Sequence, residues 1–109
     1  MITQKHIKYG DKFLAPVYDN AKSYYKKALV RDYLRGEVAY KKELYSYDTL
    51  VCTIENGVYT LNHNVSEELL LSRTSVRHIR DFLYQNKPML NNQDITLYGK
   101  KDILKYEGR

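Results

Sequence analysis

A chain of 109 residues can bury one modest core and not two, so a single domain is expected. It holds no run of ~18 apolar residues, which excludes a membrane-spanning helix. No apolar stretch follows Lys5 and Lys8 as a secretory leader would require, so a cytoplasmic location is expected. The formal charge of +5 is uneven: residues 1–42 hold ten Lys/Arg against four Asp/Glu, residues 43–71 none against five, and residues 72–109 eight against four. Basic flanks around an acidic centre do not fit a uniformly basic nucleic-acid coat protein. The twelve tyrosines, with no tryptophan beside them, supply rigid apolar area with a polar tip, suited to core margins and to contact surfaces alike.

Residues 1–22 place the turn-formers Gly10, Asp11, Pro16, Asp19 and Asn20 between short apolar groups, and read as a loosely structured N-terminal segment ahead of a domain at 23–106 and a tail at 107–109. From Ser23 to Arg35 the periodicity fits a strand or a helix. Tyr and Val content, and the need of a hairpin for a third strand, favour the strand. Arg35-Gly36 marks a turn. From Leu44 to Ile54 the chain is continuously strand-like, with room for a bulge or bend near Ser46 to Asp48. On that reading Tyr45 and Tyr47 share the face of Val51 and Thr53.

Asn56-Gly57 suits a two-residue type I′ turn, in which both central residues take positive φ. Counting outward pairs Glu55 with Val58, Ile54 with Tyr59, Thr53 with Thr60 and Cys52 with Leu61. One face then carries Cys52, Ile54, Tyr59 and Leu61, and the other is mostly polar. Continued further, the count sets His63 opposite Leu50.

After a polar loop from Asn62 to Glu68, the run Leu69-Leu70-Leu71 pins the chain to the core. Ser72 or Thr74 can cap the next helix, expected over Thr74 to Gln85. Val76, Ile79, Phe82 and Leu83 form its apolar stripe. Arg73, Arg77 and Arg80 recur at helical spacing on the other side, continue to Tyr84 and are followed by Lys87. Asn86, Lys87 and Pro88 end the helix. Asp94 to Tyr98 alternates as a short strand does, and Lys100 to Tyr106 forms a last helix.

The expected fold is therefore α+β: a small antiparallel sheet of three to four strands with one main amphipathic helix packed on one face. The short motifs Ser46-Tyr47-Asp48-Thr49, Ser72-Arg73-Thr74-Ser75, Arg77-His78-Ile79, Phe82-Leu83 and Gln85-Asn86, with Ser23-Tyr24-Tyr25-Lys26-Lys27-Ala28 upstream, span about three quarters of the chain. Through them it resembles a family of small proteins of unknown function encoded by phages and other mobile elements of Gram-positive bacteria. Asp48 and Ser75 depart from the Asn and Thr usual in that family. The resemblance implies a mobile-element origin and a hairpin–helix unit, and brings no catalytic residues with it.

Three histidines and one cysteine stand at no metal-ligand spacing, and the five glycines form no phosphate loop, so neither metal nor cofactor is expected. Cys52 falls on the core face as an inert thiol, and His78 borders the apolar stripe as a hydrogen-bonded structural residue. No nucleophile set is suggested by spacing, which argues against an enzyme. The candidate contact residues are Arg73, Arg77, Arg80, Tyr84 and Lys87 on or after the helix, with Lys26, Lys27, Tyr45 and Tyr47. They suit a host protein or nucleoprotein partner, as in a counter-defence (anti-CRISPR-like) inhibitor, or nucleic-acid phosphates. The plainer alternative is a solvated helix face with Arg77 paired to Asp81.

Overall fold

The structure, a computed structural model, describes residues 7–15, 27–94 and 99–109, with side chains from Tyr9 onward. Five strands, β1 (Ile7–Phe13), β2 (Ala28–Arg35), β3 (Val38–Ser46), β4 (Thr49–Glu55) and β5 (Val58–Leu61), form one antiparallel sheet in sequence order. The helices α1 (Glu67–Leu70), α2 (Arg73–Gln85) and α3 (Lys100–Tyr106) complete the α+β domain. The sheet exceeds the expected three to four strands for two reasons. The segment expected to be loose contains β1, whose polar Gly10-Asp11-Lys12 centre is held by pairing of Asp11 with Arg31 and of Phe13 with Leu29. The continuous run from Leu44 to Ile54 is two strands, reversed at Tyr47-Asp48 rather than bent there.

That reversal uses residues that rarely adopt its backbone. Tyr47 and Asp48 sit at φ 48° and 70°, in the left-handed region where a Cβ crowds the following carbonyl. Asn56 and Gly57, at φ 56° and 82°, make the expected turn, and all four expected pairs of the β4–β5 hairpin are present. Between β2 and β3, Gly36 alone takes a positive φ, 67°, as the first central residue of a type II′ turn does.

A bulge decides which way β4 faces. Tyr45 pairs with Leu50 but Leu44 pairs with Cys52, leaving Val51 as the extra residue; Val51 is buried in the core and does not share the face of Tyr45 and Thr53 as expected. Without it Cys52 would oppose Glu43 and turn to the outer face. With it, Ala28, Val30, Leu44, Cys52, Ile54, Tyr59 and Leu61 all join the core. From α2, Val76, Ile79, Phe82 and Leu83 close on them, each worth roughly 1.5–3 kcal/mol when fully buried. Leu70 and Leu71 are buried as the loop anchor, whereas Leu69 is exposed.

Helix α2 begins one residue ahead of expectation, with the Ser72 hydroxyl accepting from the Ser75 N–H at 3.2 Å, and ends at Asn86 before a single 3-10 turn, Lys87–Met89. Helix α3 matches the expected Lys100 to Tyr106, and Ile103 is its buried contact. The strand expected from Asp94 to Tyr98 falls largely outside the described residues; Asp94 itself lies in an irregular stretch. His63 is not a sheet residue, because β5 stops at Leu61 and Asn62 closes the ladder by donating to the Val51 carbonyl. No helix among the described residues is long and apolar enough to cross a membrane.

Candidate functional site

The alternation that sends seven side chains into the core sends the others to the opposite, outer face of the sheet. There Phe13, Leu29 and Tyr45 lie in register across β1, β2 and β3, as do Asp11, Arg31 and Glu43, and Tyr9, Tyr33 and Lys41. Arg31 organises the middle row. Its guanidinium donates twice to Asp11, Nε–Oδ1 at 2.8 Å and Nη2–Oδ2 at 3.0 Å, and lies 4.9 Å from the Tyr9 ring centre and 5.4 Å from that of Tyr45. Those hydrogen bonds hold the Asp11 carboxyl below the ordinary carboxylate range and push the Arg31 guanidinium up.

Glu43 orients the neighbouring phenols. Its Oε1 accepts from the Tyr33 hydroxyl at 2.7 Å and from the Tyr45 hydroxyl at 3.0 Å, and Lys41 Nζ stands 3.9 Å from Oε2. A phenolate beside a carboxylate is repelled. The Tyr33 hydroxyl is accordingly raised above its usual range, chiefly by the hydrogen bond to Glu43, and that of Tyr45 by burial first and by Glu43 second. Lys41 Nζ also lies 5.0 Å from the Tyr33 ring centre, and Arg35 covers Tyr40 at 4.7 Å. The rings are thus fixed by cations and a shared acceptor before anything binds.

At one end of this face a cleft of about 320 Å³ is lined by Phe13, Lys27, Leu29, Arg31, Tyr45, Tyr47 and Asp48. Phe13, Leu29 and the two tyrosines make its apolar walls, while Lys27 and Asp48 put one charge of each sign on it. Tyr9, Phe13 and, in the turn after β3, Tyr47 are 65%, 46% and 56% exposed.

Of the residues singled out from sequence, Lys27, Tyr45 and Tyr47 come together in the cleft. Arg73, Arg77, Arg80 and Tyr84 follow one another along the side of α2 turned away from the sheet; Arg73 and Tyr84 are exposed and Arg77, Arg80 and Lys87 half-buried. They therefore form a second surface, separate from the cleft. Lys26 lies outside the described residues. Asp81 belongs to neither surface, since it is buried and accepts from Gln85 Nε2 at 2.7 Å. Sequence reasoning did not single out Phe13, Leu29, Arg31, Asp11, Glu43, Tyr9 or Tyr33. Their signal is the alternation Leu29, Arg31, Tyr33 within a segment whose strand and helix periodicities compete.

The remaining chemistry is buried or structural. His78 Nδ1 lies 2.8 Å from Ser46 Oγ. Both residues are buried, so this serine–histidine contact ties α2 to β3 and is not presented to a substrate. The Tyr47 ring sits 6.0 Å from the His78 ring, joining the cleft wall to that contact. Cys52 is wholly buried, and burial, with a smaller contribution from the Glu107 charge, pushes its thiol up, away from the thiolate that reactivity needs. Among the described residues no group of three or more His, Cys, Asp or Glu is placed to hold a metal ion.

Sheet order, helix placement and outer face together define a small α+β protein with a pre-formed aromatic surface on the side of the sheet opposite the core. The chain belongs to a family of unknown function, DUF8033, whose profile matches residues 13–105 and so takes in β2 to β5, α2 and the cleft residues from Phe13 onward. No curated protein and no solved structure matches it.

Proposed function

We propose that this chain is a non-catalytic binding protein of a phage or mobile element, and that it modulates a host system by laying the outer face of its sheet on a host protein. The observation that carries this reading is the Arg31–Tyr9–Tyr45–Glu43 network beside the cleft. Arg and Tyr dominate the energetics of protein interfaces, and rings already held in place lose little entropy on binding. Charge balance supports a protein over a nucleic acid on this face. The strand residues Arg31, Arg35 and Lys41 are matched there by Asp11, Glu43 and Glu55, whereas a phosphate backbone demands an excess of cations. A counter-defence inhibitor is a concrete form of the proposal.

A second reading, a nucleic-acid-binding accessory protein, draws on the row Arg73, Arg77 and Arg80 along α2. The two separate by mutation. Phe13→Asp with Tyr45→Ala is expected to abolish capture of the host partner and protection of phage in a defended host. Arg73→Ala with Arg77→Ala is expected to leave both intact. Titration against duplex and single-stranded DNA and RNA at two salt concentrations completes the test. Binding that weakens steeply with salt and disappears in the helix variant, with the sheet variant unaffected, would overturn the first reading in favour of the second.

A further inference from the structure

The two edges of the sheet are protected by different means. Among the described residues β1 is the outermost strand on its side and carries Asp11 and Lys12, the kind of charge that discourages edge-to-edge pairing. The strand β5, Val58-Tyr59-Thr60-Leu61, has no charge and no proline, and consists of residues with high β propensity. Register makes its liability specific. In a two-residue hairpin Glu55 and Val58 exchange backbone hydrogen bonds, as do Thr53 and Thr60, so Tyr59 and Leu61 turn their N–H and C=O groups away from β4.

The segment after α3 meets those outward groups. The Leu61 N–H donates to Glu107 Oε2 at 2.7 Å, and the Gly108 N–H donates to the Tyr59 carbonyl at 2.9 Å. His63 Nε2 lies 2.9 Å from both Glu107 oxygens and steadies the carboxylate from the far side. The Tyr59 hydroxyl donates to the Ile103 carbonyl, fixing α3 to the same strand. At the other end of β5, the Asn91 N–H donates to the Gly57 carbonyl at 2.7 Å. A side-chain carboxylate and one glycine N–H therefore stand where the next strand of a sheet would be.

We propose that Glu107 and Gly108 act as a strap that closes β5, and that releasing it exposes a surface through which the chain pairs with a second copy of itself. A second copy fits because the exposed pattern is self-complementary. Antiparallel pairing that satisfies the outward groups sets Tyr59 of one chain against Leu61 of the other, twice, with Thr60 facing Thr60 on the two-fold axis. An uncharged strand has no repulsion to oppose this. The inference does not depend on the outer-face reading, because β5 lies at the sheet edge away from the β1–β3 cleft.

The test is the double variant Glu107→Ala/Gly108→Pro. It removes the carboxylate acceptor and the N–H donor, and proline cannot adopt the φ of 76° that Gly108 holds. Light scattering after size exclusion is expected to show association at about ten-fold lower concentration than the wild-type chain. Adding Thr60→Lys is expected to reverse it, because two lysines then meet on the axis. Unchanged mass in a folded variant, or association that Thr60→Lys does not reverse, overturns the proposal. Should the double variant unfold, Glu107→Ala alone carries the same test, read also by amide exchange. The Leu61 amide is expected to exchange faster than in the wild-type chain, and equal rates overturn the strap.

Discussion

The Tyr47-Asp48 turn gives the sharpest quantitative test, because two adjacent residues carry the same backbone strain and differ in what their side chains touch. Both hold positive φ, a conformation costing a residue with a Cβ about 1–2 kcal/mol, with aspartate toward the lower end. Asp48 is exposed and makes no ion pair among the described residues, so Asp48→Gly removes strain and sacrifices no packing. Against the gain stands the larger backbone freedom of glycine in the unfolded chain, about 0.5–1 kcal/mol. The net expectation is a stabilisation of up to about 0.5 kcal/mol. With an unfolding entropy of ~2.1 cal/mol/K per residue, that raises Tm by up to about 2 °C for a chain of this size. Tyr47→Gly relieves the same strain but forfeits the ring against His78 at 6.0 Å, on the order of 1–2 kcal/mol of apolar burial, so its Tm is expected to fall or stay level. Thermal unfolding followed by circular dichroism, with a check for two-state behaviour, measures both. A lowered Tm for Asp48→Gly, or a rise for Tyr47→Gly as large as that for Asp48→Gly, would refute the reasoning.

At the other tight turn, Gly57→Ala is expected to destabilise by at least ~1 kcal/mol, because Gly57 sits at φ 82° and an added Cβ would lie 2.3 Å from the Asn91 side-chain amide. Repeating it in an Asn91→Ala background should recover only the steric part, as a denaturant double-mutant cycle can show. Glu43→Gln should bring the Tyr33 phenol down toward its ordinary value, visible in the ultraviolet phenolate titration. The sign of the linkage follows: phenols raised in the folded state contribute stability in full below the unfolded phenol range and lose it as pH rises through the folded pKa. Glu43→Gln should therefore flatten the alkaline decline in stability, and an unchanged decline would show that Glu43 does not control these rings. Cys52 is expected to resist a thiol reagent at neutral pH until the chain unfolds, and modification at full rate in the native state would contradict its burial.

The legible parts of the fold are those where local preference and tertiary demand agree. Asn56-Gly57 favours the backbone its turn uses, and the α2 stripe and the Ser72 cap are periodic or positional signals that packing then uses without change. The strand β1 was hidden for the opposite reason. Gly10, Asp11 and Lys12 read locally as loop, and only the partners Asp32, Arg31 and Val30 across the ladder make them a strand. The candidate site was half legible, since Lys27, Tyr45 and Tyr47 are conspicuous as residue types. Asp11, Arg31 and Glu43 become a unit only once three strands are in register, and they are separated by more residues than any local pattern spans.

Tyr45 shows how a correct face assignment can arise from two errors that cancel. Counting alternate residues along one uninterrupted strand puts Tyr45 and Thr53 on the same side. The two-residue turn at Tyr47-Asp48 reverses that count, because Ser46 and Thr49 face one another and share a side. The extra residue Val51 reverses it again, so Glu43 meets Thr53 and Cys52 returns to the core opposite Leu44. The bulge is thus what allows two consecutive tight hairpins to bury Leu44, Cys52, Ile54, Tyr59 and Leu61 on one side. It leaves Glu43 on the other side, where it accepts from Tyr33 and Tyr45. A single inserted residue in β4 links the stability of the core to the organisation of the aromatic face, so the surface proposed for binding depends on a residue that would never touch the partner.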